Sequence, residues 1–176
     1  MLQELSLNGE RVHLRPFHRE DITDEYVGWL NDPVVTRFSN QRFRRHDRES
    51  CLAYLASFAG SANFFLSMRR LVDDSAIGTM TVYQSSQHGT ADVGIMVGDA
   101  GAWGKGYGQD AWNTVLTWLS GQPKIRKITA GTAGPNVGMQ RVMERSGMVL
   151  EATRKAQEII EGRPEDIVYY ALFPLR

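Results

Sequence analysis

The segment Val97-Gly98-Asp99-Ala100-Gly101-Ala102-Trp103-Gly104-Lys105-Gly106-Tyr107-Gly108 constrains this chain more than any other. An apolar run, Ala91 to Val97, leads into it, and a helix-forming run, Tyr107 to Leu119, leads out. Glycines at positions 104, 106 and 108 let the backbone turn so that successive amides point inward. At the start of a helix those amides lack internal partners and carry partial positive charge. The product is a pocket for a phosphate or diphosphate. The competing reading is a tight turn before a glycine-tolerant helix. It ranks lower, because three glycines and a lysine make an odd helix cap. The spacing is not a Walker loop, which needs Gly-x4-Gly-Lys-Ser/Thr. Nor is it the dinucleotide fingerprint, which follows the first strand of a parallel unit; here it follows a late strand, and position 109 is Gln109.

The rest of the chain reads as a single domain over residues 1–176. Arg11 to Arg15 alternates and stops at Pro16, as a first strand does. Glu20 to Leu30 has Ile22, Tyr26, Trp29 and Leu30 at helical spacing, and Pro33 disfavours helix at the residue before it. Arg37 to Arg48 is a polar, basic loop. A second helix follows, with Cys51, Leu55, Phe58 and Ala59 on one face. Strands are expected at Asn63 to Arg70, Ala76 to Tyr83 and Ala91 to Val97, the last mostly apolar and therefore central. After the long helix come a short strand at Lys127 to Gly131 and a helix at Asn136 to Arg145 with Gly147 as its C-cap. Final strands at Val149 to Glu158 and Asp166 to Phe173 flank a Glu161-Gly162-Arg163-Pro164 turn. This order gives an α+β fold with a mixed, mostly antiparallel sheet flanked by helices.

Composition removes other classes. Lys+Arg and Asp+Glu both total 20, so the net charge is zero, whereas a general nucleic-acid binder is basic. One cysteine, Cys51, excludes an internal disulfide and a cysteine-based zinc cluster, and no metal is expected. A chain this long buries close to ~70% of its unfolded surface and needs no such staples. No apolar run approaches ~18 residues, and Met1 to Leu5 lacks the features of a signal peptide. A cytoplasmic, membrane-free setting is the expectation. Val168, Tyr170 and Leu172 alternate in the last strand, which leaves both a monomer and a strand-paired homodimer open.

Trp103-Gly104-Lys105-Gly106-Tyr107-Gly108 resembles the acetyl-CoA loop of the GNAT N-acetyltransferases, usually Gln/Arg-x-x-Gly-x-Gly/Ala. Asn136 to Met148 resembles that family's later Asn…Glu-Lys-x-Gly-Phe segment. Leu14-Arg15-Pro16, Trp29 to Pro33 and Gly162 to Tyr170 are similar to its ribosomal-protein N-terminal acetyltransferase branch. Trp103 departs from the usual Gln/Arg. Met143 stands where many relatives carry a tyrosine that protonates the departing thiolate, so that role does not carry over.

The resemblance implies a V-shaped split between the strand ending near Val97 and the strand Lys127 to Gly131. It implies acetyl-CoA as co-substrate, its pantetheine arm pairing with backbone near Ile95, Met96 and Val97. The diphosphate would rest on Trp103, Gly104, Lys105, Gly106, Tyr107 and Gly108, and Asn136 would touch the arm; a plain N-cap is the alternative role for Asn136. The Met96 amide would stabilise the oxyanion. By alternation Asp92 shares a face with Gly94 and Met96, which makes it the candidate general base, with a solvated edge carboxylate as the competing role. His13 and His46 are weaker candidates; Tyr83, Tyr107, Tyr169 and Tyr170 are the candidate acids.

On the acceptor side the resemblance points to Trp29, Asn31, Arg42 and Tyr83. The arginines of Arg37 to Arg48 suit an anionic amine such as a nucleotide-linked amino sugar, against a solvated charge run. So few acid–base groups favour an amine less basic than lysine, whose pKa is ~10.4 against ~7.7–8.0 for an α-amine. A protein N-terminal α-amine is therefore the runner-up. A noncatalytic acyl-CoA-binding module is the alternative of another class. Direct transfer in a ternary complex is expected, because Cys51 lies on an apolar helix face and a buried thiol is a small hydrophobe. Cys51→Ala is expected to keep most of its turnover in a thiol-release assay; a large loss in the folded variant would indicate an acyl-enzyme instead.

Overall fold

A computed structural model describes residues 5–175; Met1 to Glu4, part of the N-terminal stretch read above, lie outside the described residues. The strands are β1 (Leu7–Asn8), β2 (Val12–Pro16), β3 (Phe64–Arg70), β4 (Ala76–Ser85), β5 (Thr90–Val97), β6 (Lys127–Ala133), β7 (Val149–Ile160) and β8 (Arg163–Leu172). The helices are α1 (Asp24–Asn31), α2 (Arg48–Ala56), α3 (Tyr107–Ser120) and α4 (Val137–Arg145). One sheet runs β1-β2-β3-β4-β5-β6-β8-β7. The pair β5–β6 is parallel and the others are antiparallel. That parallel contact is brief: Thr90, Ala91 and Asp92 pair with Lys127, Ile128 and Thr129, and then the strands part. The remainder of β5, Val93 to Val97, has β4 on one edge only. This is the expected V-shaped split.

Each sheet face buries its own layer. On one, Trp112, Val115, Leu116 and Leu119 of α3 and Met143 of α4 pack on Leu14, Leu66, Met80, Val93 and Ile128. On the other, Tyr26, Trp29 and Leu30 of α1 and Cys51 of α2 pack on Phe65, with Met96 against the same cluster. Phe17 stacks on Phe65 at 4.4 Å, and Phe58 does so at 5.3 Å.

Four departures from the sequence reading have local causes. The helix placed at Glu20 to Leu30 is broken. The Asp21 carboxylate accepts from both terminal Arg15 guanidinium nitrogens at 2.7 and 2.8 Å and from the His18 amide at 2.8 Å. That binds residues 19–21 into a separate short turn, and α1 restarts from the Thr23 cap. Phe58 and Ala59 fall beyond the end of α2 yet keep their apolar contacts or turn positions. The last hairpin turns on Glu161 and Gly162, both at positive φ, so Pro164 lies inside β8 rather than in the turn. Finally, β1 is a strand the alternation pattern did not reveal.

A single carboxylate ties that strand's turn to α3. Asp110 accepts the amides of Glu10, Arg11 and Val12 at 3.0, 2.8 and 3.1 Å. A side chain at Gly9 would lie 2.4 Å from the same carboxylate, so glycine permits the approach. Asp110→Ala is expected to lower unfolding free energy by about 1–3 kcal/mol, measured by urea denaturation; an unchanged midpoint would show these bonds to be matched by water in the unfolded chain.

Candidate functional site

At the wide end of the split, β5 runs into the glycine loop. Gly104 and Gly106 have φ of +69° and +84°, and a Cβ at either would meet nothing within 4 Å. Their inner faces are therefore open, and the loop is not glycine-rich for want of packing room. Gly106 caps α3 with no side-chain hydrogen bond to the first-turn amides. Among the described residues the amides of Gly104 to Gln109 meet no protein acceptor. An uncapped helix start behind open glycines has the donors to cradle an anion. Arg11 steadies it from behind, donating to the Lys105 carbonyl at 3.1 Å.

Strand parity decides which edge groups of β5 face the split, because main-chain groups alternate sides along a strand. Phe17 donates to the Phe65 carbonyl across β2–β3 at 2.8 Å. Carried through the β3–β4 and β4–β5 registers, that parity turns the main chain of Met96 towards β4. Ile95 and Val97 face the split. The Met96 amide is thus committed to the sheet and is not the oxyanion donor; its side chain joins the α1/α2 core. The Val97 carbonyl is also taken, by the Trp103 indole N–H at 2.8 Å. What remains open is the Val97 amide and both main-chain groups of Ile95.

Asp92 stands at the apex, the last residue of β5 to pair with β6. The Thr129 hydroxyl donates to its carboxylate at 2.7 Å. Tyr83 lies directly opposite Asp92 in the β4–β5 register, so their side chains share the face that α1 and α2 cover. The Asp92 carboxyl still reaches solvent, but the sheet around it strips away enough water to raise its pKa above the ordinary carboxylate value, against the Thr129 bond, which lowers it. The Tyr83 hydroxyl meets that of Tyr54 at 2.7 Å. Burial, with Tyr83 beside it, raises the Tyr54 pKa. This corner brings a carboxylate and a pair of hydrogen-bonded phenol hydroxyls together.

Other residues singled out from sequence have structural duties. Trp29 is core: its indole lies where a Cβ on Gly98 would sit, within 2.1 Å. The Asn31 side chain donates to the Val27 and His46 carbonyls and accepts the His46 amide, which pins the loop after α1. Arg42 donates to the Ser39 and Ile159 carbonyls and stacks on Phe43 at 4.3 Å. Asn136 is an N-cap, accepting the Met139 amide at 3.2 Å and donating to Thr132 at 3.0 Å. Met143 is fully buried. Tyr170 donates to Glu144 on the α3/α4 face, whereas Tyr169 lies on the face shared with Asp92. His13 bonds Ser6, and His46 faces the Gln41 carbonyl. Thr129 and Tyr54 were missed: only the register puts the first beside Asp92, and only the α2–β4 packing brings the second to Tyr83.

The segment between α1 and α2 forms a strap reaching the β7–β8 turn. Arg37 makes a bidentate pair with Glu161 at 2.7 and 3.0 Å, and Phe38 packs with Ala133, Ile160 and Ile167. The strap therefore bridges from the β5 side to the β6–β8 side on the face Asp92 occupies. Among the described residues no helix is long and apolar enough to cross a membrane, and no three His, Cys, Asp or Glu gather as a metal site.

A family model for the acetyltransferase (GNAT) domain matches residues 11–149. The probable N-acetyltransferase YjcK of Bacillus subtilis (strain 168) is 25% identical over 169 residues, covering 91% of this chain and 92% of that protein. A GNAT-family acetyltransferase from Bacillus anthracis has the same fold, with a TM-score of 0.82 at 20% identity over 97% of this chain and 99% of that one. RimL, a ribosomal L7/L12 alpha-N-protein acetyltransferase in complex with coenzyme A, gives 0.82 at 13% identity over 96% and 98%. Spermidine N-acetyltransferase from Vibrio cholerae, in complex with CoA and spermine, gives 0.81 at 17% over 93% and 95%. With that model spanning most of the sequence and a split sheet opening onto a glycine cradle, the chain belongs to the GNAT acetyltransferase family.

Proposed function

We propose that this N-acetyltransferase carries out direct transfer to a primary amine with Asp92 as general base, and that the amine belongs to a small anionic molecule such as a nucleotide-linked amino sugar. The observation that carries the reading is the Asp92–Thr129 pair at the apex of a split whose β5 edge is unpaired. Acetyl-CoA supplies an activated acetyl thioester. The uncapped amides of Gly104 to Gly108 are the groups to hold its diphosphate, and the open Ile95 and Val97 groups to pair with its arm. Those edge amides also donate to the carbonyl oxygen as the amine nitrogen bonds to the acetyl carbon and the C–S bond breaks. Asp92 takes the proton the nitrogen sheds. Tyr83, opposite Asp92 and hydrogen-bonded to Tyr54, is the acid candidate best placed to protonate the thiolate. Cys51, buried in the α1/α2 core with its pKa raised chiefly by that burial, has no part in the transfer.

The anionic acceptor draws support from the strap, whose arginines outnumber its carboxylates between Arg37 and Arg48. A protein α-amine remains the second reading, because one carboxylate of modest basicity suits any amine that is partly neutral at cell pH.

A thiol-release assay across an amine panel tests the acceptor: kcat/KM for a nucleotide amino sugar is expected to exceed that for spermidine by about tenfold or more, a 1.4 kcal/mol preference. A polyamine preference would reject the anionic reading. Asp92→Asn is expected to lower kcat/KM by about 10²-fold or more. It should also abolish the acid limb, which rises as the carboxyl deprotonates above its ordinary range. Because the fold raises this pKa above 3.8, ionisation of Asp92 costs stability as pH climbs through the folded value, so Asp92→Asn should melt no lower than wild type at neutral pH. An unchanged rate and pH profile would remove Asp92 from the base role.

A further inference from the structure

A cavity of about 800 Å³ opens between α1 and the strap, lined by Val27, Leu30 and Pro33 and by Arg44, Arg45 and His46. None of Asp92, Tyr83, Thr129 or the glycine loop lines it, so it is distinct from the transfer corner and from the diphosphate cradle. Its neighbouring charges are mostly spent. Arg48 lies 3.5 Å from Asp24 across the rim, and Arg42 is held by Ser39, Ile159 and Glu158. Asp47 caps α2, accepting the Ser50 amide at 2.8 Å. His46 lies 3.3 Å from the Gln41 carbonyl, which makes that nitrogen a donor.

Arg44 and Arg45 are left. Among the described residues neither guanidinium has a hydrogen-bond or ion-pair partner. Both side chains are exposed on the cavity's rim, and like charges on adjacent residues repel. A ligand carrying at least two negative charges relieves that repulsion, and the planar forks of arginine match phosphate oxygens. Val27, Leu30 and Pro33 also line the cavity and offer apolar surface for an uncharged ring or chain. By contrast, the smaller cavity of about 380 Å³ beside Phe38 has Arg37 already paired with Glu161.

We propose that the α1–strap cavity is a second anion site, in which Arg44 and Arg45 grip the phosphate or diphosphate of a small molecule whose uncharged part rests on Val27, Leu30 and Pro33. This deepens the anionic-acceptor reading and rests on it for the ligand's identity, but not for the site's existence. The last turn of α1 links the two regions: Trp29 packs on Gly98 at the mouth of the split, and Leu30 and Asn31 face the cavity.

Inorganic diphosphate, titrated calorimetrically into protein saturated with CoA, tests the site with the glycine cradle already filled. Wild type is expected to bind, and Arg44→Gln/Arg45→Gln to bind about tenfold or more weaker, with CoA affinity and melting temperature unchanged. A control that removes the same charge at exposed positions, Arg19→Gln/Lys124→Gln, should shift diphosphate affinity by less than about twofold. No heat in the CoA-saturated wild type, equal weakening in both variants, or diphosphate that binds only by displacing CoA would each overturn the proposal. The acceptor reading is judged apart: the Arg44/Arg45 variant should raise KM for an anionic amine and leave kcat unchanged. If diphosphate binds as expected while no anionic amine is acetylated, the cavity stands and the acceptor reading falls.

Discussion

An interrupted strand pair governs this molecule. β5 and β6 share a parallel ladder as far as Asp92 and Thr129 and then diverge, leaving the Ile95 and Val97 edge without a neighbour. Unpaired main-chain groups inside a sheet are costly unless something completes them. The surrounding elements keep the strands from closing. Trp29 wedges against Gly98 at one side, Phe38 packs against Ala133 at the other, and the Asn136 cap holds the start of α4 to Thr132. A ligand with amides of its own is the natural third strand, and the uncapped start of α3 waits where such a ligand would end in charge.

Charge is placed locally, since the chain as a whole is neutral. The glycine cradle uses main-chain dipoles, which need no counter-charge when empty. The apex holds one carboxylate, Asp92, whose ionisation is made harder by the sheet around it. The strap spends most of its arginines on structure. The Arg37–Glu161 pair is exposed and contributes little stability alone, but it fixes the strap's span across the face.

Much of this was legible from residues alone. The Val97-to-Gly108 segment announced a strand, a glycine turn and a helix, because an apolar run, three closely spaced glycines and an amphipathic run follow one another. Alternation put Asp92 on the face of Gly94 and Met96, and register then set Tyr83 and Thr129 beside it. What stayed hidden depended on distant pairing. Met96 looked as available as Ile95 until the β2–β3 bond fixed the parity of its neighbours. Asn31 and Arg42 looked like ligand groups, yet each satisfies loop carbonyls, and a loop's own hydrogen-bond needs cannot be read without its path. The Glu20 to Leu30 helix failed because Arg15, on a neighbouring strand, claims Asp21. Propensity does not register such a bond.

In the proposed function the main-chain amides of the glycine loop and the free edge of β5 together seat the coenzyme. Amide-resolved NMR of the isotopically labelled protein during a CoA titration reads those atoms directly. The resonances of Gly104, Lys105, Gly106, Tyr107 and Gly108 are expected to move together with those of Ile95 and Val97, while Met96 moves less. Saturable binding that leaves the glycine loop still and shifts another surface would contradict it.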